Sequence, residues 1–196
     1  MDYGSGNLRS AQRAFERTGE SVVVTSDTNV ALEAKGLVVP GVGAFASCMS
    51  GLRAVGGDEV VRRRAELERP TLGICVGMQI LFSDGDEHAT TSLHSGIDAL
   101  SGHVTALHAP VLPHMGWNTI DVGQGSRLFR GVEGESFYFV HSYAVKTAPD
   151  GIQSWSTYGE RFLAAIESGS ISATQFHPEK SGKAGLALIK NWVATL

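Results

Sequence analysis

The sequence predicts an α/β fold: a central, mostly parallel sheet with helices on both faces, joined by an antiparallel portion in the second half. Three observations predict it. Short apolar or β-branched runs alternate with segments of helical periodicity through the first 82 residues. Strand-like segments then dominate from residue 103 to residue 175. Between these regimes, a cysteine flanked by glycines two residues away on either side stands where an apolar run turns helical.

Residues 7–18 read as a helix, because Leu8, Ala11, Ala14 and Phe15 share one face and Gly19 can end it. Residues 21–25 are β-branched and read as a strand. Residues 36–39 read as another, stopped by Pro40-Gly41. Residues 58–67 form a helical pattern with an Arg-rich outer face. Residues 70–75 are a short apolar strand, followed by a helix over 76–82. Further strands are expected at 103–107, 116–122, 137–145 and 154–158. Residues 162–167 and 170–175 flank a Gly-containing turn and read as a hairpin. A closing helix covers 185–193. No repeat, low-complexity tract or linker divides the chain, so residues 1–196 are expected to form one domain. An open α/β sheet normally begins with a buried strand, whereas here the first loop comes at once. Either the sheet lacks that strand or the true start lies upstream.

Apolar residues make up 42% and charged residues 18%, with a formal net charge of -4. That is a globular composition with no basic stripe, which argues against a nucleic-acid partner. No apolar run is long enough for a membrane span, and residues 1–6 do not resemble a signal peptide. The expected compartment is the cytoplasm. Two cysteines, Cys48 and Cys75, do not make a disulfide framework, so one of them is a candidate for reactivity. Cys48 lies in a small-residue helical stretch and reads as core.

The run Leu72-Gly73-Ile74-Cys75-Val76-Gly77-Met78-Gln79 has the nucleophile-elbow pattern, with sulfur in place of hydroxyl. Glycines are needed there because the turn is strained and crowded. A thiol at a helix start lies near the positive end of the dipole, which favours thiolate. A lone free cysteine is usually a small buried apolar residue; the glycines weigh against that here. A thiolate nucleophile needs an acid and base. The candidate is His177, in Gln175-Phe176-His177-Pro178-Glu179-Lys180. Pro178 excludes a regular helix, and in an extended segment His177 and Glu179 point the same way. Glu179 would orient the ring, completing a Cys-His-acid triad. Pro40-Gly41-Val42-Gly43 follows a strand and offers backbone N–H groups. With the Val76 amide these would hold an oxyanion. A plain strand-to-helix turn is the commoner meaning of such residues and a phosphate site the rival functional one, and the ambiguity extends to Gly4-Ser5-Gly6-Asn7, which lacks the Lys-Ser/Thr ending of a P-loop. The remaining histidines lack metal-ligand spacing, so no metal is expected.

These blocks, with Pro113-His114-Met115-Gly116-Trp117-Asn118 and Tyr138-Phe139-Val140-His141-Ser142-Tyr143, resemble those of the class I, or triad, glutamine amidotransferases. The resemblance spans nearly the whole chain. Gly-x-Cys-x-Gly and His-Pro-Glu identify the class. The blocks around Trp117 and Tyr143 resemble the glutaminase subunits of imidazole glycerol phosphate synthases in histidine biosynthesis. The resemblance implies a flavodoxin-like core, Cys75 as nucleophile, His177 as acid and base, and Glu179 as its orienter. It implies Gly43 beside the oxyanion, which joins the Val42 and Val76 positions read from the elbow pattern. It also implies Gly43, Gln79, Ser142 and Tyr143 around the substrate. No cofactor is implied. The expected partner is a TIM-barrel cyclase subunit that converts PRFAR into imidazole glycerol phosphate and AICAR. The expected docking side is the face near Asn7, Trp117 and Lys180. Two alternatives stand beside this reading: a glutaminase subunit of another pathway, and a non-enzymatic α/β protein with a reactive cysteine.

Overall fold

The computed structural model of the chain describes residues 1–90, 92–147 and 149–196. Helix α1 (Leu8–Glu16) opens the fold, capped by Asn7, whose side-chain oxygen accepts from the Ser10 amide at 3.2 Å. Helix α2 (Thr28–Glu33) is capped in the same way by Asp27 and leads to strand β1 (Leu37–Gly41). Helices α3 (Phe45–Ala54) and α4 (Gly57–Glu66) precede β2 (Thr71–Cys75) and the single turn α5 (Val76–Gln79). A run of strands follows: β3 (Phe82–Gly85), β4 (His94–Ser95), β5 (Leu100–Ala106), β6 (His114–Thr119), β7 (Ser136–His141) and β8 (Tyr143–Val145). Then come β9 (Ile152–Tyr158), β10 (Glu160–Ser168), β11 (Ile171–Thr174), a 3-10 turn (Pro178–Lys180) and helix α6 (Gly182–Val193).

The main sheet has the order β1-β2-β11-β10-β9. Its β1–β2 and β2–β11 pairings are parallel, and its β11–β10 and β10–β9 pairings are antiparallel. Strands β4-β3-β5-β8 form a second sheet, and β6-β7 a two-stranded ribbon. Register aligns the ends of the three parallel strands: Gly41 faces Cys75, and Ile74 faces Thr174. The loops leaving β1, β2 and β11 therefore emerge side by side at one carboxyl edge, where open α/β sheets place their ligands. Behind that edge Phe129, Phe137, Phe139, Phe162 and Phe176 form a cluster buried from solvent. Burial of each ring contributes roughly 1.5–3 kcal/mol, and holds the β7 and β11 sides of the site together.

The hairpin expected across residues 162–175 is present as β10–β11. Several other expectations are corrected. Residues 21–25 form no strand, because a strand needs a ladder and none reaches them. Among the described residues, only the Thr25 carbonyl of this segment takes a backbone bond, from the Asp2 amide at 2.8 Å, and Val23 is 66% exposed. A cavity of about 480 Å³ is lined by this segment and by β1, together with Phe15 and Trp192. It is larger than the pocket at the carboxyl edge and mainly apolar, and none of the elbow or His177–Glu179 residues lines it. Strand β1 runs on through Pro40 and Gly41. Proline is tolerated because β1 lies at the edge of the described sheet. The helix after Cys75 ends at Gln79, and Phe82 already belongs to β3. Strand-like residues 137–145 split into β7 and β8, which join different sheets. Arg64 is not on an outer face: it is fully buried. Its guanidinium donates to the carbonyls of Ala31, Leu32, Ala34, Lys35 and Pro70. It thereby satisfies the open end of α2, whose last carbonyls have no partner within the helix.

Candidate active site

Cys75 ends β2 and begins α5 with φ 57° and ψ -116°, a backbone conformation that L-residues rarely adopt. The surrounding glycines explain how the chain reaches it. A Cβ at Gly77 would collide with the Val39 carbonyl, and one at Gly41 with the Gly77 amide. A Cβ at Gly73 would lie 2.7 Å from the Gly77 carbonyl oxygen. Only glycine allows β1, β2 and α5 to approach this closely, and the sharp turn lifts the Cys75 side chain out of the strand. The Val140 carbonyl oxygen and the Gln175 side-chain nitrogen each lie 3.9 Å from the sulfur.

His177 and Glu179 follow β11, three and five residues beyond its end. Their pairing does not come from an extended segment, as alternation along a strand would have it. Pro178–Lys180 is a 3-10 turn with proline at its first position, and His177 is the extended residue leading into it. His177 Nδ1 lies 2.7 Å from Glu179 Oε1. The two side chains are 3% and 4% exposed. The His177 backbone is held at both ends: its amide donates to the Tyr138 carbonyl at 2.9 Å, and its carbonyl accepts from the Ser181 hydroxyl at 2.7 Å. Burial works against the charged ring, but Cys75 and Glu179 outweigh it and raise the pKa to about 9. Nδ1 directed at Glu179 leaves Nε2 for the thiol side. Glu179 Oε2 is buried without a partner among the described residues.

Cys75 and His177 line a pocket of about 190 Å³ together with Val42, Gly43, Val76, Gln79 and Ser142. These are all but two of the residues singled out from the sequence. Glu179 stands behind His177, and Tyr143 lies outside the lining. The Tyr143 carbonyl is an anchor, accepting from Gln79 Nε2 at 2.8 Å and facing His141 Nδ1 at 3.0 Å. Gln79 also donates to Gln175 Oε1 at 3.0 Å, so its amide hydrogens brace the wall, and Oε1 remains for a ligand. The Val42 amide donates to Ser5 Oγ at 3.1 Å, and Ser5 Oγ donates to the Val42 carbonyl at 2.8 Å. That amide is thus not available to an oxyanion in this arrangement. Gly43 follows at φ +89° with open space beside it, and Val76 opens α5, where amides lack intrahelical acceptors.

Sequence reasoning left five neighbours out of the site, Val140 among them, and placed Lys180 on the docking side instead. Glu87 and Lys180 line the pocket and bring one charge of each sign. The carboxylate of Glu87 accepts from the Phe45 amide at 2.6 Å at the start of α3. His141 lines the pocket, and Gln175 lies beside the sulfur. Glu87 had no local signal, since its position depends on β3 pairing with β5. Gln175 adjoins His177 and was within reach. Among the described residues no group of three or more His, Cys, Asp or Glu side chains could hold a metal ion. Among them, too, no helix is long and apolar enough to cross a membrane.

The family model for glutamine amidotransferase class-I matches residues 1–196. The chain belongs to the class-I glutamine amidotransferases. Within that family it is 55% identical over 200 residues to the imidazole glycerol phosphate synthase subunit HisH of Mycolicibacterium paratuberculosis, covering 100% of this chain and 96% of that protein. It is 54% identical over 206 residues to the subunit of the same name from Thermobifida fusca, covering 100% and 97%. Solved structures share the amidotransferase fold. A crystal structure of a glutamine amidotransferase superposes with a TM-score of 0.76 at 19% identity, covering 98% of this chain and 96% of that one. A putative GMP synthase subunit from Thermoplasma acidophilum gives 0.70 at 21%, covering 99% and 90%. The amidotransferase family thus accounts for the whole length of the chain.

Proposed function

We propose that the chain is the glutaminase subunit of an imidazole glycerol phosphate synthase, in which Cys75, His177 and Glu179 hydrolyse glutamine and deliver the ammonia to a cyclase partner. The observation that carries this reading is the meeting of an elbow cysteine with the buried His177–Glu179 pair in one pocket. Full-length identity of 51–55% to proteins named as HisH subunits supports the pathway.

The Cys75 thiolate attacks the side-chain amide carbon of glutamine. The tetrahedral oxyanion is held by the amides of Gly43 and Val76, with the Val42 amide joining once it leaves Ser5. His177, protonated at neutral pH, gives its Nε2 proton to the departing nitrogen, so that ammonia leaves and a γ-glutamyl thioester remains. Water then attacks the thioester carbon. His177 takes a proton from that water, and collapse expels the thiolate and releases glutamate. Glu179 keeps the proton on Nδ1 throughout. Glu87 and Gln79 Oε1 are suited to the ammonium of the amino-acid end, and Lys180 to its carboxylate.

Free ammonia is largely protonated in neutral water, which makes a shielded handover chemically sensible. The relatives are named as subunits, which supports a partner for this chain. We place its docking face on the exposed side of the β6 ribbon, where Met115 is 62% and Trp117 59% exposed. Large apolar side chains at that exposure fit interface anchors. In this reading the partner is a TIM-barrel cyclase, the assembly a heterodimer, and the compartment the cytoplasm, with residues 1–196 acting as one amidotransferase unit. Glutamate release from glutamine, measured alone and then with the cyclase and its nucleotide substrate, tests it. Stimulation in the complex is expected. Activity indifferent to the cyclase contradicts the partner, and no activity from folded protein in either state contradicts the chemistry.

A further inference from the structure

His114 and His141 are both buried, and the chemistry of the triad uses neither. They are register partners across the β6–β7 ribbon. The His114 ring is stacked between Phe139 and Tyr158, with centroids 4.9 and 4.1 Å away. Its Nδ1 lies 3.0 Å from His141 Nε2, and His141 Nδ1 lies 3.0 Å from the Tyr143 carbonyl oxygen. His114 Nε2 lies 3.4 Å from Asn118 Nδ2.

These partners leave one assignment of protons. A carbonyl can only accept, so His141 Nδ1 carries hydrogen and its Nε2, in a neutral ring, accepts. His114 Nδ1 must then donate, and His114 Nε2 accepts from the Asn118 amide. All four ring nitrogens are satisfied, and both rings are neutral. Burial lowers the His114 pKa to about 4 and the His141 pKa to about 3, the latter despite the Tyr143 carbonyl. The other Asn118 amide hydrogen goes to the Thr157 carbonyl at 3.0 Å, which ties the start of the chain of donors to β9.

The end of that chain of donors is the wall of the pocket. Two donors converge on the Tyr143 carbonyl, His141 from one side and Gln79 from the other. The short segment they anchor carries the Val140 carbonyl beside Cys75 and the pocket-lining Ser142. Two buried rings of apolar shape would fill the same volume without needing polar partners. What the histidines add is direction, a fixed orientation for the peptide groups from residue 140 to 143.

We propose that His114 and His141 are positioning residues, a one-directional donor relay from Asn118 to the Tyr143 carbonyl that sets the wall receiving the amino-acid end of glutamine. This rests on the glutaminase reading of the pocket. The test compares two labels for Cys75. Iodoacetamide needs only the thiol, and 6-diazo-5-oxo-L-norleucine also needs the wall that receives an amino acid. His114→Phe keeps an aromatic ring in the stack and removes the donor. His114→Asn places an amide nitrogen near the site of Nδ1.

In His114→Phe, labelling by the norleucine reagent is expected to slow, and the KM for glutamine to rise, each roughly tenfold, the size of one lost hydrogen bond. Iodoacetamide labelling is expected to stay unchanged, and His114→Asn to recover most of the loss. Equal loss with both labels, no loss with either, or no recovery in His114→Asn overturns the proposal. If His114→Phe does not fold, His141→Asn, which keeps a donor for Tyr143, and His141→Leu, which does not, give the same comparison. Native protein that takes iodoacetamide at Cys75 but neither takes the norleucine label nor hydrolyses glutamine overturns the glutaminase reading itself, and this proposal with it.

Discussion

The Val42 amide is bonded to Ser5 Oγ at 3.1 Å. The same hydroxyl donates to the Val42 carbonyl and touches Cys48 Sγ at 3.2 Å, and Cys48 Sγ lies 3.3 Å from that carbonyl oxygen, so two side chains pin the Pro40-Gly41-Val42-Gly43 turn at Val42. One candidate oxyanion donor is therefore engaged elsewhere. Ser5→Ala removes its acceptor. The expected outcome is a rise of up to about tenfold in the glutaminase rate of the chain alone, the value of one hydrogen bond. Stimulation by the cyclase is expected to shrink by the same factor. Steady-state assays with and without the partner check this.

Glu179→Gln keeps the shape beside His177 but replaces an acceptor with an amide that can turn its hydrogens to Nδ1. The proton on Nδ1 is then no longer enforced. A fall in kcat of about 10²–10⁴ is expected, with the KM for glutamine little changed. A variant that instead raises KM at constant kcat places Glu179 in binding.

The histidines set opposed pH limits on stability. The His177 pKa is raised from 6.5 to about 9, so the folded protein holds that proton more tightly than the unfolded chain does. Its contribution is full below about pH 6.5 and is lost as the pH rises through about 9. His114 and His141 have lowered values, about 4 and about 3, so their contribution is full above pH 6.5 and is lost as the pH falls toward those values. Urea midpoints measured across pH are expected to fall on both sides of pH 6.5. Cys75→Ala flattens the alkaline limb and His114→Asn the acid limb. A native alkaline limb that is already flat contradicts the charged form of His177.

Much of the site was legible in the sequence because its signals are local. Gly73, Cys75 and Gly77 need only each other to mark an elbow, and His177 and Glu179 are two residues apart. The β10–β11 hairpin announces itself through one turn. What stayed hidden depends on partners distant along the chain. Arg64 looks like one more exposed arginine of α4 until the open end of α2 is brought against it. Residues 21–25 have the composition of a strand, but no composition supplies a neighbour to pair with. The pairing of His114 with His141 follows from the register of β6 on β7, which neither strand encodes alone. The engagement of Val42 by Ser5 spans 37 positions and is invisible in either motif.

Trp117 projects from β6 at 59% exposure and meets Tyr138 edge-on at 6.1 Å. Trp117→Ala is expected to leave thermal stability within about 0.5 kcal/mol. It is expected to weaken the complex with the cyclase by about 2 kcal/mol, as for a buried interface anchor. Calorimetric titration against the cyclase decides it, and unchanged affinity moves the docking face elsewhere.

Glutamate release by Cys75→Ala, measured in the presence of the cyclase and its nucleotide substrate, is the most direct test of the proposed chemistry. A loss of at least about 10³-fold is expected while the variant still folds and binds its partner. Retained glutaminase activity in that variant would contradict the proposed chemistry, because no other group lining the pocket can form the thioester.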